Sequence, residues 1–157
     1  MTRLPVVAAV AAALAAAAPA GSATAEAQAS VERLPQASKE LADYVSHALE
    51  AHDLDAFDRL VEWEGARPVR RRMTLYQIRY NFGRPIKSAV VEPIPPDGLG
   101  DAHALLSLKP NLPVTERLRV TFDEPPGPSG EQPACVFLLG KEDGVYRISL
   151  LLGAPPR

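Results

Sequence analysis

The chain reads as an α+β domain, with two or three N-terminal helices packed on a curved antiparallel sheet of four to five strands. Three observations predict this. Apolar residues recur at helical spacing between positions 38 and 83, and they alternate at strand spacing from position 84 onward. An Asp-Gly pair, the signal of a tight hairpin, joins the last two alternating runs. All the helical signal precedes the strand signal, as expected when helices cover one face of an antiparallel sheet.

Ser38 is the candidate N-cap of the first helix, where Leu41, Tyr44, Val45, Ala48 and Leu49 fall on one face. Asp53 can cap a second helix carrying Leu54, Phe57, Leu60 and Val61 on one side, stopped by Gly65 just after Trp63-Glu64. Pro68 suits the first turn of a third helix. Its predicted apolar stripe is Val69, Met73, Tyr76 and Tyr80, with Gly83 as terminator.

In the second half, Ile86, Ser88 and Val90 alternate with Lys87, Ala89 and Val91, and Leu105-Leu106-Ser107-Leu108 is a short strand candidate. Leu118, Val120 and Phe122 alternate with Arg117, Arg119, Thr121 and Asp123, which predicts one buried and one wet face. Ala134 to Gly140 and Val145 to Leu151 form the final pair around Lys141-Glu142-Asp143-Gly144. Proline-rich stretches at 93–100 and 125–133 separate these strands. The last strands are richer in apolar residues than a one-sided sheet requires. Cys135, Phe137 and Leu139 face one way and Val136 and Leu138 the other, while Leu150, Leu151 and Leu152 are consecutive. Either long loops cover the second face or another subunit does, so a homodimer or a protein partner is an expected use of the sheet.

Residues 1–25 read as a secretory signal peptide. Arg3 gives a positive start, Leu4 to Ala18 is a short apolar run, and Ala23-Thr24-Ala25 fits a small-residue cleavage site. Ala25-Glu26-Ala27 is an alternative site two residues on. The run falls short of the about 20 apolar residues of a spanning helix, and no Cys follows it for lipid attachment, so no stable membrane anchor is expected. The expected product is exported, periplasmic or extracellular, with residues 26–37 as a mobile lead-in, one domain at 38–152 and a tail at 153–157. Without Arg3 the mature chain carries 16 basic and 19 acidic residues, and its net charge of −3 argues against nucleic-acid binding. Cys135 is the single cysteine, so the domain must be stable without an internal disulfide. It reads as a small buried hydrophobe.

His47 lies four residues after Asp43 on one helix face, a pairing that can orient an imidazole and is also a common surface pair. His52 with Asp53 and Asp55 is supported as a metal site by no H-E-x-x-H, no paired cysteines and no EF-hand spacing, and His103 has no recognisable partner. No metal and no cofactor are expected: the chain has no phosphate-cradling loop, dinucleotide fingerprint or G-x-S-x-G. Arg67, Arg70, Arg71, Arg72, Arg79 and Arg84 make the third helix basic, opposite two acidic helices. Arg70, Arg71 and Arg72 span about 200° of helix surface and cannot all meet one ligand. They read as a solvated face with ion pairs, or as an anion contact. Trp63, Tyr76, Tyr80 and Phe82 cluster near the junction of helices and sheet and read first as core.

Trp63-Glu64-Gly65 at a helix end, Asn111-Leu112-Pro113-Val114 before a strand, and the hairpin Gly140 to Tyr146 together resemble exported bacterial proteins of the nuclear-transport-factor-2-like, cystatin-like α+β superfamily. The resemblance covers residues 38–152 and departs from the usual pattern in showing no strand between the second and third helices. It implies a sheet wrapped over helices as a cone whose open end can hold a ligand. Trp63, Tyr76, Tyr80 and Phe82 would then line a pocket for a small apolar molecule. Three functions remain open: a non-catalytic binding or interaction module, a small-ligand pocket protein, and an isomerase- or dehydratase-type enzyme. The apolar strands favour the first, because no catalytic set is visible in the residues.

Overall fold

The computed structural model describes residues 33–95 and 108–153; the predicted signal segment, His103, Leu105 to Ser107 and residues 154–157 lie outside them. Helix α1 (Ser38–Glu50) buries the predicted face of Leu41, Tyr44, Val45, Ala48 and Leu49. Its N-cap is Ala37 and not Ser38. Glu40 does the capping, its carboxylate accepting from the N–H groups of Gln36 (3.0 Å) and Ala37 (3.2 Å), and these bonds hold its carboxyl below the usual range. Ser38 Oγ is left free to meet the Tyr146 hydroxyl at 2.8 Å. The end of the expected lead-in is docked: Pro35 is buried and its carbonyl accepts from Tyr146 N–H at 2.9 Å.

Asp53 caps α2 (Leu54–Leu60) as predicted, with Oδ1 accepting from Ala56 N–H at 2.9 Å. The helix ends at Leu60, well before Gly65. Val61 turns extended and bridges Ile148, and Glu62 N–H donates to the Ile148 carbonyl at 2.9 Å. A β-branched residue beside an open strand edge is better accommodated in that pairing than in a last helical turn. The segment between the second and third helices therefore contributes one bridge to the sheet edge.

Helix α3 (Pro68–Arg79) begins at its predicted proline, but its stripe does not pack as predicted. Val69, Met73, Tyr76 and Tyr80 are 52%, 53%, 73% and 75% exposed, whereas Thr74 and Ile78 are buried. The helix has apolar residues on two sides, and the side of Leu75, Ile78 and Phe82 joins the core. Phe82 meets Phe57 of α2, ring centroids 6.3 Å apart. Gly83, at φ +69°, closes the turn after the helix rather than the helix itself, which is capped by Tyr80.

Strands β1 (Ile86–Pro93), β3 (Glu116–Phe122), β4 (Ala134–Glu142) and β5 (Val145–Ser149) form an antiparallel sheet in the order β1-β3-β4-β5. The two-residue strands β2 (Lys109–Pro110) and β6 (Leu151–Leu152) pair separately. A register shift between Ile86 and Ser88 reverses the predicted alternation of β1. Ile86, Ala89 and Val91 pack toward the core, and Val90 is half exposed. Leu118, Val120 and Phe122 of β3 are fully buried, as their alternation predicts. The β4–β5 hairpin turns on Asp143 (φ 50°) and Gly144 (φ 79°), both left-handed as a type I′ turn requires. One apolar cluster joins all three helices to the inner sheet face, with Phe57, Leu118, Leu139 and Tyr146 among its buried members.

The last strand does not run on to Leu151. After Ser149 the chain is taken over by Asn111, whose Oδ1 accepts from Leu150 N–H at 2.8 Å and Ser149 Oγ at 3.2 Å. Asn111 Nδ2 donates to the carbonyls of Glu62 (2.8 Å) and Glu64 (3.0 Å), and its own N–H reaches the Leu150 carbonyl at 3.0 Å. Truncating this half-buried amide strands donors and acceptors on two segments at once. Asn111→Ala should lower unfolding stability by about 2–4 kcal/mol, at roughly 1 kcal/mol for each bond lost. Asn111→Asp should also destabilise, because it sets a carboxylate oxygen against two carbonyls. Denaturant titration of the three proteins checks both.

Candidate functional site

The divergence of β5 from β4 opens a groove. Leu138 and Ser149 are the last paired residues of the hairpin, and beyond them Leu151 pairs with Pro110 instead of continuing along β4. The vacated space holds about 260 Å³ between the two chains and the flank of α3. Its walls are Cys135 to Leu138 on one side, Ile148 to Leu151 on the other, and Arg70, Thr74, Gln77, Ile78 and Asn81 from the helix. Successive strand side chains point to opposite faces. Four consecutive lining residues therefore mean that β4 presents its main-chain edge to the groove, and not merely one face.

The register identifies the groups on that edge. In a two-residue hairpin closing on Glu142 and Val145, the even-numbered residues of β4 exchange hydrogen bonds with β5. The odd-numbered ones bond β3, as the 2.9 Å contact from Phe122 N–H to the Pro133 carbonyl confirms for the same register. The N–H and C=O groups of Val136 consequently face the groove, and among the described residues no strand pairs with them.

The helix flanks this opening. Its N-terminal end adjoins the wall beyond Ser149, where Glu64 is tied to Asn111 and a Cβ on Gly65 would lie 3.3 Å from Leu152. Its C-terminal end is near the mouth, where Arg84 pairs with Glu124 at 2.7 and 2.8 Å and stacks over the Phe122 ring. In the first turn of the helix, Arg70 Nε is buried and has no hydrogen-bond partner among the described residues. Burial pushes the Cys135 thiol up to about 11 despite the opposing pull of Arg84, so this lining group is a neutral thiol at physiological pH.

Of the residues expected to form a pocket, none lines this groove. Trp63 belongs to the α2–α3 junction, where its Nε1 donates to the Asp58 carbonyl at 2.8 Å and Arg71 lies over its ring. Phe82 stacks on His52 with centroids 5.4 Å apart, and Tyr76 and Tyr80 point outward. The three consecutive arginines diverge, as their angular spread predicts: Arg70 lines the groove, Arg71 pairs with Asp58, and Arg72 is exposed. His47 and His52 are exposed. Among the described residues no cluster of His, Cys, Asp and Glu could hold a metal ion, and no helix is long and apolar enough to cross a membrane. Sequence reasoning missed Thr74, Gln77, Ile78 and Asn81. Their spacing with Arg70, i, i+4, i+7, i+8 and i+11, is a second helical stripe that was readable.

The chain matches no protein-family model, no curated protein and no solved structure. The raised Cys135 pKa gives this wall of the groove a direct chemical readout. A shift from 9.0 to about 11 lowers the thiolate fraction near neutrality about a hundredfold. Iodoacetamide at pH 7.5 should label Cys135 about a hundred times more slowly in the folded protein than in urea, with mass spectrometry as the measure.

Proposed function

We propose that the mature chain is a non-catalytic binding module that works outside the cytoplasm, and that the groove between α3 and the split strands is its binding site. The observation that carries this reading is the groove itself: apolar walls from Ile78, Phe137 and Ile148 beside the half-buried Arg70, whose Nε is buried without a hydrogen bond. Such a lining favours occupants with an apolar body and a negative end. Its one thiol is held neutral by burial, which suits a wall more than a nucleophile. Helices against one face of an antiparallel sheet also support the nuclear-transport-factor-2-like resemblance, which is part of the proposal.

An apolar sulfonate, 8-anilinonaphthalene-1-sulfonate, is a suitable probe. It should bind the native protein at one site, and Gln77→Trp, which fills the groove from an exposed helix position, should abolish that binding. The same change should leave stability within about 0.5 kcal/mol, as for most surface substitutions. Equal fluorescence enhancement by both proteins would place the dye elsewhere and remove the groove as the site.

The export half of the proposal rests on residues 3–25 and has its own test. Protein recovered from the periplasm or medium of its producing cell should have an intact mass that begins at Glu26 or, by the alternative site, at Gln28. Retention of the full leader would defeat the export reading.

A further inference from the structure

Helix α3 presents apolar side chains to solvent as well as to the core. Val69, Met73, Tyr76 and Tyr80 recur at i, i+4, i+7 and i+11. At 3.6 residues per turn they share a sector about 60° wide, and the stripe is about 16 Å long. All four are exposed by half or more, while Thr74 and Ile78, on the opposite side of the helix, are buried. Single exposed apolar residues are ordinary on a protein surface. Four in register along one helix form a patch that calls for a partner.

The charge around this stripe has one sign. Residues 67–84 hold six of the chain's 17 Lys and Arg residues and none of its 19 Asp and Glu residues. Arg71 and Arg84 are committed to Asp58 and Glu124. The guanidinium groups of Arg67, Arg72 and Arg79 are exposed and have no partner among the described residues. Arg72 and Arg79, seven residues apart, run along one flank of the stripe.

That pattern selects among occupants. A second copy docked stripe to stripe would bring two acid-free, arginine-bearing helices together, and like charges would oppose the contact. An anionic lipid surface has the complementary chemistry. Val69 and Met73 offer aliphatic bulk, and the phenols of Tyr76 and Tyr80 suit the headgroup level, with rings in apolar surroundings and hydroxyls wet. Arginine stems can lie along the acyl boundary while their planar heads meet phosphates. At 12 residues α3 is too short to span a bilayer, and its other side is engaged in the core, so it can only lie in the interface.

We propose that the outward side of α3 docks the protein on an anionic phospholipid bilayer. Val69, Met73, Tyr76 and Tyr80 enter the boundary between headgroups and acyl chains, and Arg72 and Arg79 meet lipid phosphates. The contact is peripheral and reversible, and it does not depend on what occupies the groove.

The mature protein, beginning at Glu26, is sedimented with vesicles of phosphatidylcholine containing about one-third phosphatidylglycerol, and with vesicles of phosphatidylcholine alone. Binding should be about tenfold or more tighter with the anionic vesicles. It should fall steeply between about 0.1 and 1 M salt, as the screening length contracts from about 10 to 3 Å. Arg72→Gln combined with Arg79→Gln should weaken it about 25-fold, at about fivefold for each charge near the surface. Met73→Ser combined with Tyr76→Ser should weaken it about tenfold or more and leave the urea midpoint unchanged, because both positions are exposed. Tyr76→Trp should tighten it and shift indole emission to shorter wavelength when anionic vesicles are added.

Absence of sedimentation with anionic vesicles, or equal sedimentation with both lipids, would overturn the proposal. So would undiminished binding by both double variants, which would put the lipid contact elsewhere on the protein. A dimer by light scattering that the double serine variant converts to monomer would assign the stripe to a second copy and overturn it equally.

Discussion

The carboxamide of Asn111 holds the chain from two directions, donating to the carbonyls of Glu62 and Glu64 and accepting from Leu150 N–H and the Ser149 hydroxyl. A side-chain amide has two donors and two acceptor lone pairs, and here all are engaged. The consequence is architectural. The exit of α2 is fixed to the exit of β5, and the β5 edge is covered by Val61. Gly140 is part of the same arrangement. The Leu112–Pro113 segment crosses it so closely that a Cβ would lie 2.5 Å from the Pro113 carbonyl oxygen. Only glycine lets the crossing segment reach the position from which Asn111 acts.

Charge plays a quieter part. Glu92 between Arg117 and Arg119, and Glu124 against Arg84, are ion pairs on or near the outer surface that hold both carboxyls below their ordinary range. These contacts are partly solvated and contribute little each. Their value is in placement. Arg84 is fixed at the mouth of the groove by Glu124 and Phe122, and Arg71 is fixed on the far side of α3 by Asp58 and Trp63. With its neighbours committed, Arg70 is the arginine of that helix turned into the groove.

Much of the fold was legible because it is carried by periodicity. The inner face of α1, the Asp53 cap, the Pro68 start, the buried triplet of β3 and the Asp-Gly turn each follow from local spacing or local chemistry. The failures have a common physical origin in tertiary competition. Val61 left its helix for a strand edge, Ser38 gave its capping place to Glu40, and α3 had two apolar sides between which only packing could decide. The site was less legible still. It depends on a missing strand pairing, and main-chain edges leave no signature in residue type. Asn111 was visible only as part of a turn motif, although its amide ties the exit of α2 to the exit of β5.

In the hairpin register Leu151 would oppose Val136 and Gly153 would oppose Ala134, while the main-chain groups of Leu150 face the other edge of the strand, where Asn111 holds them. The pairing of Leu151 and Leu152 with Pro110 and Lys109 continues along that same outer edge. The Asn111 clamp therefore fixes the end of the last strand from outside and takes up none of the groups that face the groove. Those open-edge groups can be met by water at small cost.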